Sequence, residues 1–160
     1  MLLTKISTSF IARAGSLIVL AAVAGSPAFA VDTVQSKDAP DLAAVRVKIK
    51  ARDFTGALAD LTKISDTVQH ADVYNLIGFA SRKSGDYKNA ATFYSKALDF
   101  DANHKGALEY QGEMYVELGQ PDKAKVNLAK LVALCPQGCE EREDLEKALA
   151  AKPATPAKTN

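Results

Sequence analysis

A period of 34 residues constrains this chain more than any other feature. Gly78 and Gly112 stand 34 apart, as do Gly85 and Gly119, and Ala90 and Ala124. In the same register Tyr94 falls opposite Leu128, Leu98 opposite Val132 and Ala102 opposite Pro136. A fainter copy lies upstream at a spacing of 33, with Phe54 before Tyr87, Ala57 before Ala90 and Leu61 before Tyr94. A unit this short cannot bury its apolar face alone, so units of this kind must stack on one another.

The middle unit shows what is being repeated. Val73, Leu76, Ile77 and Ala80 recur at helical spacing over 72–83. Gly85 suits the left-handed residue that ends a helix, and Asp86 opens the turn. Tyr87, Ala90, Ala91, Tyr94, Ala97 and Leu98 then form the apolar stripe of a second helix. Gly78 and Ala90 fall on facing helices, where only a hydrogen or a methyl group permits close approach. The large Tyr74, Tyr87 and Tyr94 fill the space around that approach.

This pattern resembles the tetratricopeptide repeat family. In the middle unit the resemblance sits on Tyr74, Ile77, Gly78, Gly85, Asp86, Tyr87, Ala90, Tyr94, Ala97 and Leu98. In the third it sits on Leu108, Gly112, Tyr115, Gly119, Ala124, Leu128, Leu131 and Pro136, with Gln111 where the family usually has an apolar residue. The first unit departs most, with Val45 at the glycine position and Arg52 at the turn. The resemblance implies an all-α, right-handed superhelix of about three helix-turn-helix units, over 38–70, 71–104 and 105–138. A capping helix over 139–151 completes a domain spanning 38–151. Glu140, Glu141, Glu143 and Asp144 favour the positive start of that helix, and Leu145, Ala148 and Leu149 give it one apolar face.

The family's first helices line a concave groove that binds peptides or partner proteins. In this register the groove residues are Arg46 and Lys50 from the first unit, with Leu42 and Ile49 beside them. The second unit contributes Asn75, Phe79, Arg82 and Lys83, with Asp72. The third contributes Glu109, Glu113 and Glu117, with Val116. One end reads as basic, the other as acidic, with Phe79 between. Phe79 is either a peptide anchor or a core residue under the next helix, and the charges also fit a solvated helix face. Some family members clamp a partner's terminal carboxylates with Lys and Asn. The corresponding positions here are Leu42, Arg46, Leu76, Gly106 and Tyr110, of which only Arg46 can bind a carboxylate. The clamp is absent, which leaves a general protein-interaction groove.

The first thirty residues read as an address rather than as part of the domain. Lys5 and Arg13 precede the apolar run 17–24, then Gly25, Ser26, Pro27 and the Ala28-Phe29-Ala30 cleavage pattern. Those are the parts of a secretory signal peptide cleaved after Ala30, and the apolar run falls short of the roughly 20 residues a span needs. The expected location is the periplasm or the exterior, with residues 31–37 a flexible lead-in and 152–160 a disordered tail rich in Pro, Lys and small residues. Removing the two basic signal residues turns the formal net charge of +1, from 20 Lys+Arg and 19 Asp+Glu, into −1. No basic surplus points to nucleic acid.

Cys135 and Cys139 flank a Pro-x-Gly turn before the capping helix. In an exported protein the first reading is a disulfide staple. The alternatives are two free thiols, or a thiol–disulfide redox or metal role favoured by the helix start beside Cys139. Self-association through the incomplete first unit is a further alternative. His70 and His104 occupy equivalent loop positions and have only Asp72 and Asp101 as nearby acids, too few for a metal site. No phosphate-binding loop, metalloprotease or nucleophile-elbow motif occurs, so no cofactor and no enzyme activity are expected.

Overall fold

The structure, a computed structural model, describes residues 39–151. Residues 1–38 and 152–160, which include the expected signal segment, lead-in and tail, lie outside the described residues. Seven helices run through the described part: α1 (Ala43–Lys50), α2 (Phe54–Ser65), α3 (Ala71–Lys83), α4 (Tyr87–Phe100), α5 (Lys105–Glu117), α6 (Pro121–Leu134) and α7 (Glu140–Ala150). Consecutive helices pack on one another, and α3 also meets α5, and α5 meets α7. The result is an all-helical repeat solenoid, as the 34-residue period requires.

Local chemistry sets the helix ends. The Asp53 carboxylate accepts the Gly56 N–H at 2.9 Å, and the equivalent Asp86 accepts the Asn89 N–H at 3.1 Å. Each satisfies one of the donors that a helix start leaves without a partner. Gly85 and Gly119 end α3 and α5 with φ of 84° and 68°, the left-handed conformation that glycine adopts freely. The first unit must make the same turn with Arg52, at φ 62°.

The core solves one packing problem three ways. A Cβ on Gly78 would lie 2.7 Å from the Tyr94 ring, so glycine is what lets this fully buried ring sit against α3. In the first unit Val45 replaces the glycine and Leu61 replaces the tyrosine, and both are buried in one apolar cluster with Ala57 and Ile77. The smaller aliphatic side chain leaves room for the extra methyl groups. In the third unit the tyrosine position is Leu128, and a Cβ on Gly112 would instead meet Leu145 of α7 at 2.6 Å. The capping helix thus occupies the notch that its repeat leaves open. Each fully buried leucine here, such as Leu61 or Leu145, contributes about 1.5–3 kcal/mol.

Gln111, the polar departure in the third unit, is buried with a partner. Its Oε1 accepts from Asn127 Nδ2 at 3.0 Å, and the same amide donates to the Leu108 carbonyl at 3.0 Å. Cys135 and Cys139 form a disulfide with Cα atoms 6.0 Å apart. It closes the turn between α6 and α7, at the junction that positions the capping helix.

Candidate binding groove

The odd-numbered helices present a common face with two adjoining cavities. The first, about 140 Å³, is lined by Arg46, Ile49 and Lys50 of α1, Leu76 and Phe79 of α3, and Tyr110 of α5. The second, about 280 Å³, shares Arg46, Leu76 and Tyr110 and extends along Asp72, Asn75, His104, Gly106 and Glu109 to Glu140, Glu141 and Asp144 of α7. The first is apolar with a basic edge. The second is predominantly acidic.

Phe79 is half-buried and reaches across helices rather than under one. Its ring meets Phe54 edge-on at 6.4 Å and Tyr110 at 4.9 Å, and Lys83 Nζ lies over it at 5.4 Å. It therefore forms the apolar wall of the groove while packing on its neighbours. Of the candidate residues, Arg46, Lys50 and Phe79 meet at the first cavity, and Arg46, Asn75 and Glu109 at the second. The other four lie outside these two cavities.

Arg82 has a different task. Its side chain is 1% exposed and pairs with Glu113 and, at 3.3 Å, with Glu117. Its guanidinium carbon also lies 5.8 Å from the Phe79 and Tyr110 ring centres. Burial works against its charge, but the Tyr94 hydroxyl and the Glu113 and Glu117 carboxylates outweigh it and raise the Arg82 pKa. The expected contrast between a basic and an acidic end of the groove is thus partly cancelled: Arg82, Glu113 and Glu117 pair with one another across α3 and α5. Sequence position assigned them to the groove, yet pairing between units at a separation of 31–35 residues carries no local signal.

The acidic end is larger than sequence register showed. His104 caps α5, its Nδ1 accepting the Ala107 N–H at 3.0 Å, and its Nε2 lies 3.0 Å from Asp72 Oδ1. With Nδ1 accepting, the proton sits on Nε2 and is donated to Asp72. His70 caps α3 in the same manner, accepting the Asp72 N–H at 3.1 Å. The two equivalent histidines are helix caps that share Asp72 as neighbour. Among the described residues no three His, Cys, Asp or Glu are grouped to hold a metal ion. Glu140, Glu141 and Asp144 read as helix-start residues in sequence; the packing of α7 on α5 also brings them to the groove.

Glu109 is the most perturbed carboxyl. Burial pushes its pKa up to about 8, reinforced by Glu113, Asp144 and Glu141 and opposed by Arg82. Tyr110 beside it is also raised, by burial and by Glu109 and Glu113.

Residues 71–104, which are α3, α4 and their loops, match the family model of the tetratricopeptide repeat. The middle unit is a tetratricopeptide repeat. The match coincides with the unit whose glycine–tyrosine packing is most complete, and α1–α2 and α5–α6 repeat its helix pair on either side. A comparison with curated proteins found no match. Tetratricopeptide repeats generally serve protein–protein interaction and are generally not catalytic, which suggests an interaction role. Of the five positions that correspond to the carboxylate clamp, Arg46, Leu76, Gly106 and Tyr110 line the cavities, while Leu42 is buried in the core. No helix among the described residues is long and apolar enough to cross a membrane.

Proposed function

We propose that this protein is a non-catalytic adaptor or assembly factor, exported to the periplasm, that holds a segment of a protein partner in the groove formed by α1, α3, α5 and α7. The observation that carries the reading is the pair of adjoining cavities on that face, one walled by Phe79, Ile49, Leu76 and Tyr110 and the other by carboxylates. An apolar seat beside a charged one suits an extended peptide, whose apolar side chain supplies affinity and whose polar side chain supplies register. The Cys135–Cys139 disulfide supports export, since such a bond persists in oxidising compartments, and it fixes the helix that completes the acidic wall.

The test is affinity capture after crosslinking in cells, comparing the native chain with a Phe79→Ala, Arg46→Glu double variant. Both changes fall in the groove and outside the fully buried core. The expected result is a specific partner that the variant loses while its melting temperature stays within a few degrees of the parent. Equal capture by the variant, or capture only when the groove is not needed, would contradict the reading. Export is tested separately by fusing residues 1–30 to alkaline phosphatase, which becomes active only outside the cytoplasm.

A further inference from the structure

The acidic cavity has features that the apolar seat does not explain. Five carboxylates line it: Asp72, Glu109, Glu140, Glu141 and Asp144. Three have cationic or histidine neighbours: Asp72 has His104 at 3.0 Å, Glu141 has Lys105 at 3.7 Å, and Asp144 has Lys147 at 2.8 Å. Lys105 and Lys147 are 45% and 71% exposed, so they answer these acids largely from solvent. Glu109 and Glu140 have no ion pair among the described residues.

An independent observation comes from Asn75. It lines this cavity, is 5% exposed, and its Oδ1 has no hydrogen-bond partner among the described residues. A buried acceptor left unpaired is costly, and a donor brought by a ligand recovers that cost. A cavity lined by five carboxylates and by an asparagine whose amide oxygen has no partner, with Arg46 where it adjoins the apolar seat and His104 bonded to Asp72, favours a group that donates hydrogen bonds and carries positive charge. The described acids are not grouped for a metal ion, and a cavity of about 280 Å³ has room for an organic cation. An alkylammonium or a guanidinium meets all of these demands.

We propose that this cavity is the seat of a lysine or arginine side chain of the protein partner, held by Glu109, Asn75 and the α7 carboxylates. The proposal rests on the groove reading above and names the chemistry at its acidic end. The state of Glu109 fits: its carboxyl is held largely uncharged near neutrality by burial and by Glu113, Asp144 and Glu141, with Arg82 opposing. An incoming cation favours the carboxylate, so binding releases a proton and strengthens as pH rises toward about 8, then levels off. In the unbound protein, ionising Glu109 is unfavourable, so the acidic wall lowers stability while it prepares a binding site.

The test is nitrogen-15 NMR of the intact chain titrated with n-butylammonium chloride and methylguanidinium chloride, at matched ionic strength, with n-butanol and sodium butyrate as controls. The two cations should move the Asn75 side-chain amide and the Gly106 and Tyr110 backbone signals saturably, and the controls should not. Glu109→Gln should weaken cation binding by roughly tenfold or more, since a charge-assisted hydrogen bond is lost. The same variant should melt no lower than the parent at pH 8, which separates lost binding from lost fold. Equal shifts with n-butanol, or unchanged cation affinity in Glu109→Gln, would overturn the proposal. So would a change in the resting Asn75 signal on Lys152→Glu with Lys158→Glu, because the occupant would then be this chain's own tail. Failure here with partner capture at Phe79 intact would leave the groove reading standing; loss of capture with cation binding intact would do the reverse.

Discussion

At the scale of single residues, small departures from the repeat carry most of the information. Arg52 holds a left-handed turn that glycine makes in the other units, at φ 62°. A non-glycine residue in that conformation costs roughly 1–2 kcal/mol. Arg52→Gly is expected to stabilise the protein by about 1 kcal/mol, less the entropy glycine adds to the unfolded chain, read as a higher urea midpoint at unchanged slope. Gly78→Ala should act oppositely. Its methyl would press on the fully buried Tyr94 ring and cost about 1–3 kcal/mol in the same measurement.

Glu109 supplies the pH prediction. A carboxyl whose folded pKa lies above its unfolded value binds more protons in the native state, so stability falls as pH rises from about 4.5 to about 8. Removing the charge removes that loss. Glu109→Gln is expected to raise the melting temperature at pH 8 by several degrees, on the order of 1–2 kcal/mol, and to change it little at pH 4. Calorimetry at the two pH values checks this, and a uniform shift at both would show a packing effect instead. The residue's place in the third first-helix was legible from register. Its surroundings were not, because the carboxylates that perturb it come partly from α7.

At the scale of elements, the sequence showed the helix pairs plainly and their junctions less well. The periods that place α3 through α6, and the apolar stripe of α7, depend on neighbours in the chain. What each helix touches depends on partners more than thirty residues away. Arg82 illustrates the gap: it shares a helix with Phe79 and was assigned the groove, yet its guanidinium closes on Glu113 and Glu117 of α5. Arg82→Ala should therefore act as a break between units, costing about 3 kcal/mol and loosening α5 against α3. Hydrogen exchange should show lost protection in both helices. Loss confined to the end of α3 would contradict an inter-unit role.

The disulfide belongs to this scale too. The loop it closes is short, and the chain-entropy relation gives about 2 kcal/mol for such a loop. Reduction, or Cys139→Ser, should lower stability by up to that amount and raise exchange in α7 first, because Leu145 in the Gly112 notch is what the turn holds in place. A protein whose α7 exchanges no faster after reduction would not need the bond as a staple.

At the scale of the whole molecule, the repeat accounts for both the fold and the groove, because stacking helix pairs aligns every first helix on one face. Five of the nine groove residues read from the repeat register, Arg46, Lys50, Asn75, Phe79 and Glu109, line the two cavities. The sequence did not reveal how the charge is shared. Pairing across units uses up Arg82, Glu113 and Glu117, while the capping helix adds Glu140, Glu141 and Asp144 to an acidic end centred on Glu109. The capping helix thereby covers the last repeat and adds three carboxylates to the wall of the acidic cavity.

The most direct test of the central claim, that a protein partner lies in this groove, is site-specific photocrosslinking in cells. A photoreactive residue placed at Lys50, on the edge of the apolar cavity, is compared with one at Thr62, exposed on α2 and outside both groove cavities. The account predicts one discrete adduct from the Lys50 position, lost with Phe79→Ala, and none from the Thr62 position. An adduct from Thr62 with none from Lys50 would place the partner on the other face and contradict it.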